Sequence, residues 1–259
     1  MCTVTLLRGG SELLLTMNRD ERWARAPERP PIHHPARAGR PAWVAPADGE
    51  RGGAWIGAND AGVVACLLNA YAPGDLDLLG REGVPSRGEL LPRLLGHRPD
   101  EVLEWVDHEL DAPRYPSFTL ILLAPDEGRA VHWRLDAGLQ CESLASGWSV
   151  VTSSLWRGEE VSAWRHEAFA RWCADGVPRS AGVPSFNLLE VAGHREWSPF
   201  MTRPFSATRS ITQVRVGAGE RSLTMTYWSR RGADTIDPSK PDATLDLPLN
   251  ASAPTRSPP

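Results

Sequence analysis

A cysteine directly behind the first methionine opens an apolar hairpin, and this hairpin constrains the fold more than any other feature of the chain. Residues 2–8 are rich in leucine, valine and threonine, two glycines follow, and residues 12–18 are again mostly apolar. Two such runs around a glycine pair predict a β-hairpin. Because an antiparallel partner returns to the start of the first strand, we expect residues 18–21 to lie beside Cys2.

Cys2 has two interpretations. A small residue after the initiator favours removal of Met1, which would give Cys2 both a thiol nucleophile and an α-amine. The ordinary pKa of that amine, about 8, suits a general base. The alternative is a half-buried thiol that begins a strand. The other cysteines, with no CxxC pair or histidine pattern, predict neither a disulfide framework nor a zinc site, and we interpret them as packing residues. They are Cys66, Cys141 and Cys173.

Size and composition predict one domain. The chain has 259 residues, 41% of them hydrophobic, which is near the upper limit for a single core. We assign residues 1–231 to this domain and predict that residues 232–259, rich in Pro, Asp, Ala and Ser, are a disordered tail. No apolar run approaches the ~20 residues of a membrane span. A net charge of -4 gives no basic footprint for nucleic acid. No secretory signal pattern is evident, so we expect a cytoplasmic protein.

Periodicity predicts antiparallel hairpins interrupted by helices, which is an α+β architecture with helices covering sheets. The predicted helices are 86–95, opened by the capping-box spacing of Ser86 and Glu89, 99–110 and 159–174. The predicted strands after the first hairpin are 54–58, 62–69, 117–124, 130–135, 149–153, 210–216 and 222–228. Residues 23–53, rich in Pro, Arg, His and Gly, are predicted to be a long irregular loop.

Several motifs together carry a resemblance to a known family. They are Met1-Cys2, then Asn18-Arg19-Asp20-Glu21, then Gly52-Gly53-Ala54-Trp55-Ile56-Gly57, then residues 62–69 ending in Asn69. This combination resembles the NRDE family, also called the transport and Golgi organisation family. The resemblance covers the first 70 residues and is weaker near Trp164 and residues 208–210. It implies a four-layer αββα sandwich of the N-terminal-nucleophile hydrolase type, similar to penicillin V acylases and bile salt hydrolases.

The resemblance also implies roles for individual residues. In those relatives the N-terminal cysteine attacks an amide carbonyl, its α-amine moves the proton, an Arg and an Asp orient the nucleophile, and an Asn helps to form the oxyanion hole. The matching catalytic positions are Cys2, Arg19, Asp20 and Asn69. The candidate binding residues are Asn18, Glu21, Trp55, Ser153, which stands where a second oxyanion asparagine is expected, and Arg209, which matches a distal arginine.

The tetrad at residues 18–21 departs from the Arg-Asn-x-Asp spacing of the amidase relatives. On a strand, alternation puts Asn18 and Asp20 on one face and Arg19 and Glu21 on the other. Arg19 near Cys2 would favour the thiolate, and Asp20 would hold the ammonium. The alternative is that the tetrad is a structural ion network that closes the hairpin.

Two functions are consistent with the resemblance, and an inert scaffold is the third alternative. The first is a cysteine hydrolase of a non-peptide amide or acyl bond that requires no cofactor. The second is binding or trafficking of haem or an acyl lipid in the same pocket without catalysis, with Cys2, His33 or His34 as candidate ligands of haem iron. The expected partner is therefore a small amide, acyl or haem-like molecule.

Overall fold

A computed structural model shows a chain built mainly from antiparallel strands. It describes residues 2–9, 12–125, 127–176, 182–217, 220–232 and 236–250. The strands within these ranges are β1 Cys2–Gly9, β2 Glu12–Arg22, β3 Arg29–His34, β4 Trp43–Ala47, β5 Ile56–Asn59, β6 Val64–Asn69, β7 Phe118–Leu123, β8 Gly128–Arg134, β9 Gly138–Ser143, β10 Gly147–Ser153, β11 Ser206–Val216, β12 Ser222–Ser229 and β13 Ala243–Pro248. The α-helices are α1 Asp75–Leu78, α2 Leu90–Leu94, α3 Pro99–His108 and α4 Gly158–Ala174.

The described strands form two sheets. One has six strands in the order β10-β1-β2-β11-β12-β13, and the other has seven in the order β3-β4-β5-β6-β7-β8-β9. Neighbouring strands are antiparallel throughout both sheets. The predicted first hairpin is present as β1 and β2, in which Cys2 pairs with Arg19. Among the described helices, none is both long enough and apolar enough to cross a lipid bilayer.

Side chains from both sheets share the central core. Val4, Leu15 and Met17 of the six-stranded sheet pack with Cys66 and Ile121 of the seven-stranded sheet. The outer face of the seven-stranded sheet packs against α2 and α3, and the outer face of the six-stranded sheet packs against α4. This layering confirms the predicted α+β fold, an αββα sandwich.

Three predictions about local structure are wrong. The predicted loop at residues 23–53 contains β3 and β4, and β3 tolerates its two prolines because it is an edge strand, where a missing N–H breaks no ladder. The predicted disordered tail contains β13, in which Leu247 alternates into the central core. Residues 233–235 and 251–259 of that predicted tail lie outside the described residues. Cys141 is exposed on the edge strand β9 and is not a packing residue.

The predicted helix 86–95 begins as a 3-10 turn, Arg87–Glu89, that continues into α2. Ser86 makes no capping hydrogen bond with its side chain. Glu89 instead accepts a hydrogen bond from the Tyr115 hydroxyl at 3.0 Å. The capping-box spacing therefore located the helix without forming the cap.

The glycines before Trp55 allow the 3-10 turn Arg87–Glu89 to pack against the seven-stranded sheet. The N–H of Ala54 donates to the carbonyl of Gly88 at 2.9 Å. A Cβ at Gly53 would lie 2.8 Å from the carbonyl carbon of Gly88, closer than a side chain tolerates. Gly53 is therefore required for the approach of two backbones, as we expect for a glycine beneath a buried tryptophan.

We predict that Gly53→Ala destabilises the protein by about 1–3 kcal/mol, because the added methyl group overpacks a backbone contact that cannot move cheaply. Gly158→Ala is the matched control, since a Cβ there meets nothing within 4 Å and alanine favours the helix that Gly158 begins. Urea unfolding measures both variants. Equal stability of the Gly53→Ala variant and the wild type would contradict this account of the contact.

Candidate functional site

Cys2 lies at the start of β1 with its side chain between the two sheets. It pairs with Arg19 of β2 on one side and with Ser153 of β10 on the other. Directly opposed residues of antiparallel strands point to the same face. The three side chains therefore form one row, and Cys2 belongs to the central core, 7% exposed.

Arg19 is held by carboxylates. Its Nη2 lies 2.8 Å from Asp48 and 3.6 Å from Glu21, and its Nη1 lies 3.3 Å from Glu28. The guanidinium also stacks over the ring of Trp55, 4.5 Å from the ring centroid. Much of its charge is therefore compensated before it acts on the neighbouring thiol.

Asp48 ties this cluster together. Arg25 donates to its two oxygens at 2.8 and 2.9 Å, and the N–H of Arg51 donates at 2.9 Å. Burial by itself would raise the pKa of Asp48, but these bonds and the charges of Arg25 and Arg19 outweigh it and lower the pKa to about 2. The carboxylate is therefore a fixed anion at neutral pH.

Burial raises the pKa of the Cys2 thiol above its ordinary value. The charge of Asp20 acts in the same direction, while the backbone N–H of Asp20 and, more weakly, the charge of Arg19 oppose it. Arg19 thus favours the thiolate, as the sequence predicts, but burial prevails. The strand neighbours alone do not activate this sulfur.

Asp20 lies on the opposite face of β2, as strand alternation predicts. Its Oδ1 accepts a hydrogen bond from Thr208 at 2.7 Å. Its Oδ2 is buried without a hydrogen bond, 3.7 Å from Nη2 of Arg165. Arg165, fully buried on α4, donates to the Thr3 hydroxyl at 2.7 Å. A buried ionic network therefore lies directly behind the first residues of β1.

Two predicted binding residues are committed to other contacts. The Asn18 amide donates to the carbonyls of Asn187 and Pro199 at 2.8 and 2.9 Å, on the face away from Cys2. Arg209 donates to the carbonyl of Arg22 at 2.9 Å and so holds the end of β2. Neither side chain joins the row that contains Cys2.

Asn69 and Ser153 are the last residues of β6 and β10, and Asn69 pairs with Phe118, which belongs to the core beneath α2 and α3. A cavity of about 390 Å³ is lined by residues 71–77, which follow β6, and by Leu155, which follows β10; we call it the mouth cavity. The Ser153 hydroxyl is buried without a partner. The half-buried Asn69 side chain makes no hydrogen bond with the described residues. Both retain free donors.

The histidines proposed as haem ligands lie elsewhere. His33 and His34 are on β3, the edge strand of the seven-stranded sheet, whereas Cys2 lies in the other sheet. The His34 ring stacks on Trp43 with centroids 3.5 Å apart, beside a separate cavity of about 230 Å³. Haem binding stays a prediction of the sequence that no contact here favours.

Several site residues escaped the sequence analysis. Asp48 and Glu28 lie in the segment interpreted as a loop and carry no local signal. Arg165 carried a sequence signal, because it falls four residues after Val161 and three before Ala168 on the buried face of α4. A charged residue at an apolar helical position is an indication of a buried network.

We predict that Asp48→Asn lowers the free energy of unfolding by about 1–3 kcal/mol at pH 7, since the arginines lose a charged acceptor. The folded pKa of about 2 lies below the ordinary 3.8. The stabilisation is therefore complete above about pH 4 and is lost as the pH falls towards 2. Urea denaturation at several pH values between 2 and 7 measures the free energy of unfolding. This free energy should fall less steeply with decreasing pH in the Asp48→Asn variant than in the wild type. The exposed Asp111→Asn variant is the control, and parallel curves for all three proteins would contradict the prediction.

Three solved structures are similar to this chain at low sequence identity. A variant of the conjugated bile acid hydrolase from Clostridium perfringens matches with a TM-score of 0.50 at 12% identity, covering 97% of this chain and 94% of that one. A second mutant of the same enzyme matches at 0.48 and 10%, covering 98% and 94%. The Caenorhabditis elegans ortholog of N-acylethanolamine-hydrolyzing acid amidase matches at 0.48 and 10%, covering 82% and 92%. At these identities the likeness concerns the fold alone.

No curated protein matches the sequence. The family model described as Transport and Golgi organisation 2 matches residues 1–171, which include the Cys2 row, the tetrad at residues 18–21 and the glycine motif before Trp55. This match confirms the resemblance on which the site residues were chosen. The chain belongs to the Transport and Golgi organisation 2 family.

Proposed function

We propose that this protein is an N-terminal cysteine hydrolase that cleaves a non-peptide amide or similar acyl bond. The observation that carries the proposal is the register of β1. Cys2 pairs with Arg19, so Asp20 is the next residue of β2 beyond this pair, towards the start of β1. Removal of Met1 would place an α-ammonium group next to this buried carboxylate.

The Asp20 oxygen that makes no hydrogen bond supports this arrangement. A buried carboxylate oxygen without a hydrogen-bond donor costs free energy, and a new ammonium group beside it would supply the donor. Arg165 lies 3.7 Å from the same oxygen and forms an ion pair with it without a hydrogen bond. The oxygen can therefore still accept a hydrogen bond from an ammonium group at the start of β1.

The chemistry then needs no other base. The α-amine of Cys2, in its neutral form, accepts the thiol proton as Sγ attacks the substrate carbonyl carbon. The tetrahedral intermediate collapses, the C–N bond breaks, and the ammonium returns its proton to the leaving amine. Water then attacks the thioester with the α-amine as base, and the acid is released with the thiol restored. The raised pKa of the buried thiol makes this local base necessary.

Asn69 and Ser153 are the proposed donors to the oxyanion. Ser153 is directly opposite Cys2 on β10 with a buried, unused hydroxyl. Asn69 ends β6 beside the mouth cavity with an unused amide. Preorganised donors of this kind typically contribute about 10²–10³-fold in rate. Arg19 is held by the carboxylates of Glu21, Glu28 and Asp48. We assign it a positioning role for Cys2, its partner on β1.

We predict that the purified protein lacks Met1 and that Cys2→Ala abolishes hydrolysis, by on the order of 10³-fold or more, because the nucleophile is lost. Intact mass measures the trimming, and a panel of fluorogenic acyl amides measures turnover. Cys173→Ala is the control, since this half-buried thiol lies on α4.

A variant that carries a non-removable extension before Cys2 should fold normally but be inactive, because the α-amine of Cys2 is then part of a peptide bond. Full activity of that version, or of the Cys2→Ala variant, would rule out the proposed mechanism.

We predict that Asp20→Asn shifts the acid limb of the pH–rate profile to lower pH. The carboxylate favours the ammonium form and so raises the pKa of the α-amine, and its loss lowers that pKa. The rate at the optimum should also fall, by about 10-fold or more, as the amine loses its orientation. Steady-state kinetics from pH 5 to 9 measure both effects. An unshifted profile in a folded variant would show that Asp20 does not face the amine.

A further inference from the structure

Arg87 is a buried cation held in a fixed position beside the end of β6. It is 9% exposed, and it lies on the 3-10 turn that packs against Gly53. Its Nη1 donates to the carbonyl of Ser117 at 2.8 Å and to that of Ala70, the residue after Asn69, at 3.3 Å. Two backbone segments therefore fix one edge of the guanidinium.

The other edge of Arg87 is unused. Its Nε and Nη2 form no hydrogen bond with the described residues, and no described carboxylate lies within ion-pair distance. Asp75 is close enough to act on Arg87 electrostatically. Both oxygens of Asp75 already accept backbone N–H groups, from Ala72 at 2.5 Å and from Ser117 at 2.7 Å. The unused Nε and Nη2 form the planar fork that matches two oxygens of one carboxylate.

The backbone contacts of Arg87 locate it next to the mouth cavity. Ala70, which accepts from Arg87, precedes Tyr71 of the cavity wall, and Ser117, the other acceptor, donates its N–H to Asp75 of the same wall. Burial is the largest influence and lowers the pKa of Arg87. A guanidinium that is nine-tenths buried normally has a partner, because burial removes its hydration.

We infer that Arg87 determines substrate specificity by binding a carboxylate group of the ligand that occupies the mouth cavity. This inference rests on the proposed function for the role of Cys2. A monoanion fits better than a phosphate dianion, because Asp75 and Asp77 line the same cavity and repel additional negative charge. The exposed Leu76 and Leu155 on the cavity wall suit an apolar chain on the same molecule.

Hexanoate and hexanamide test the inference, since they share a chain and differ in charge. Thermal shift titrations of the full chain at matched ionic strength should show saturable stabilisation by hexanoate and weaker binding of hexanamide. Arg87→Gln should weaken hexanoate binding about 10-fold or more and leave hexanamide unchanged. Arg93→Gln is the control, an exposed arginine on the adjacent helix α2.

Arg87→Lys keeps the charge without the fork, so its hexanoate affinity should fall between those of the wild type and Arg87→Gln. This variant also serves if Arg87→Gln does not fold, and wild-type affinity in it would then overturn the inference. Absence of hexanoate binding to the wild type, or equal binding to a folded Arg87→Gln variant, would overturn it as well.

The same data separate this inference from the proposed function. Hexanoate binding that depends on Arg87, in a protein that hydrolyses no amide of the panel, would support the anion site and reject the hydrolase. Hydrolysis that depends on Cys2, together with hexanoate binding that is unchanged in Arg87→Gln, would support the hydrolase and reject the anion site.

Discussion

The pairing of β1 with both of its neighbours is the constraint on which the candidate site depends. Because Cys2 is opposed by Arg19 and Ser153, a slip of one residue would turn its side chain out of the central core. In the same register Asp20 is the next residue of β2 beyond the Cys2–Arg19 pair, towards the start of β1. Backbone hydrogen bonding therefore brings together residues that are 17 and 151 positions apart in the chain.

Charge compensation around Arg19 explains how ions are accommodated at the edge of an apolar core. The guanidinium is paired with carboxylates from β2 and from the segment between β2 and β5, and it covers the Trp55 ring. Such pairing offsets the cost of burying a charge, but it also limits what Arg19 contributes to the thiol. Arg19 and Glu21 form an ion network, as one alternative for the tetrad predicts, whereas Asp20 lies on the other face of β2 and pairs with Arg165.

The glycine motif at residues 52–57 packs against the turn that carries Arg87. Gly53 allows the backbone of Gly88 to approach, and the residue before Gly88 is Arg87. A conformational requirement at one glycine thus positions a buried cation beside the end of β6. The inferred role of Arg87 depends on this close packing as much as on its own charge.

Local patterns in the sequence determined the hairpins, the three longer helical segments and the layered α+β class, because alternation and helical periodicity depend only on neighbouring residues. Motif matching located Cys2, Arg19, Asp20 and Asn69. It also selected Asn18 and Arg209, whose side chains donate to carbonyls of distant segments. The strands β3 and β13 were missed because their prolines and polar residues resemble those of loops, and only pairing at a sheet edge makes them strands. The partners of Arg19 and the free fork of Arg87 depend on contacts between distant segments, which only the tertiary structure decides.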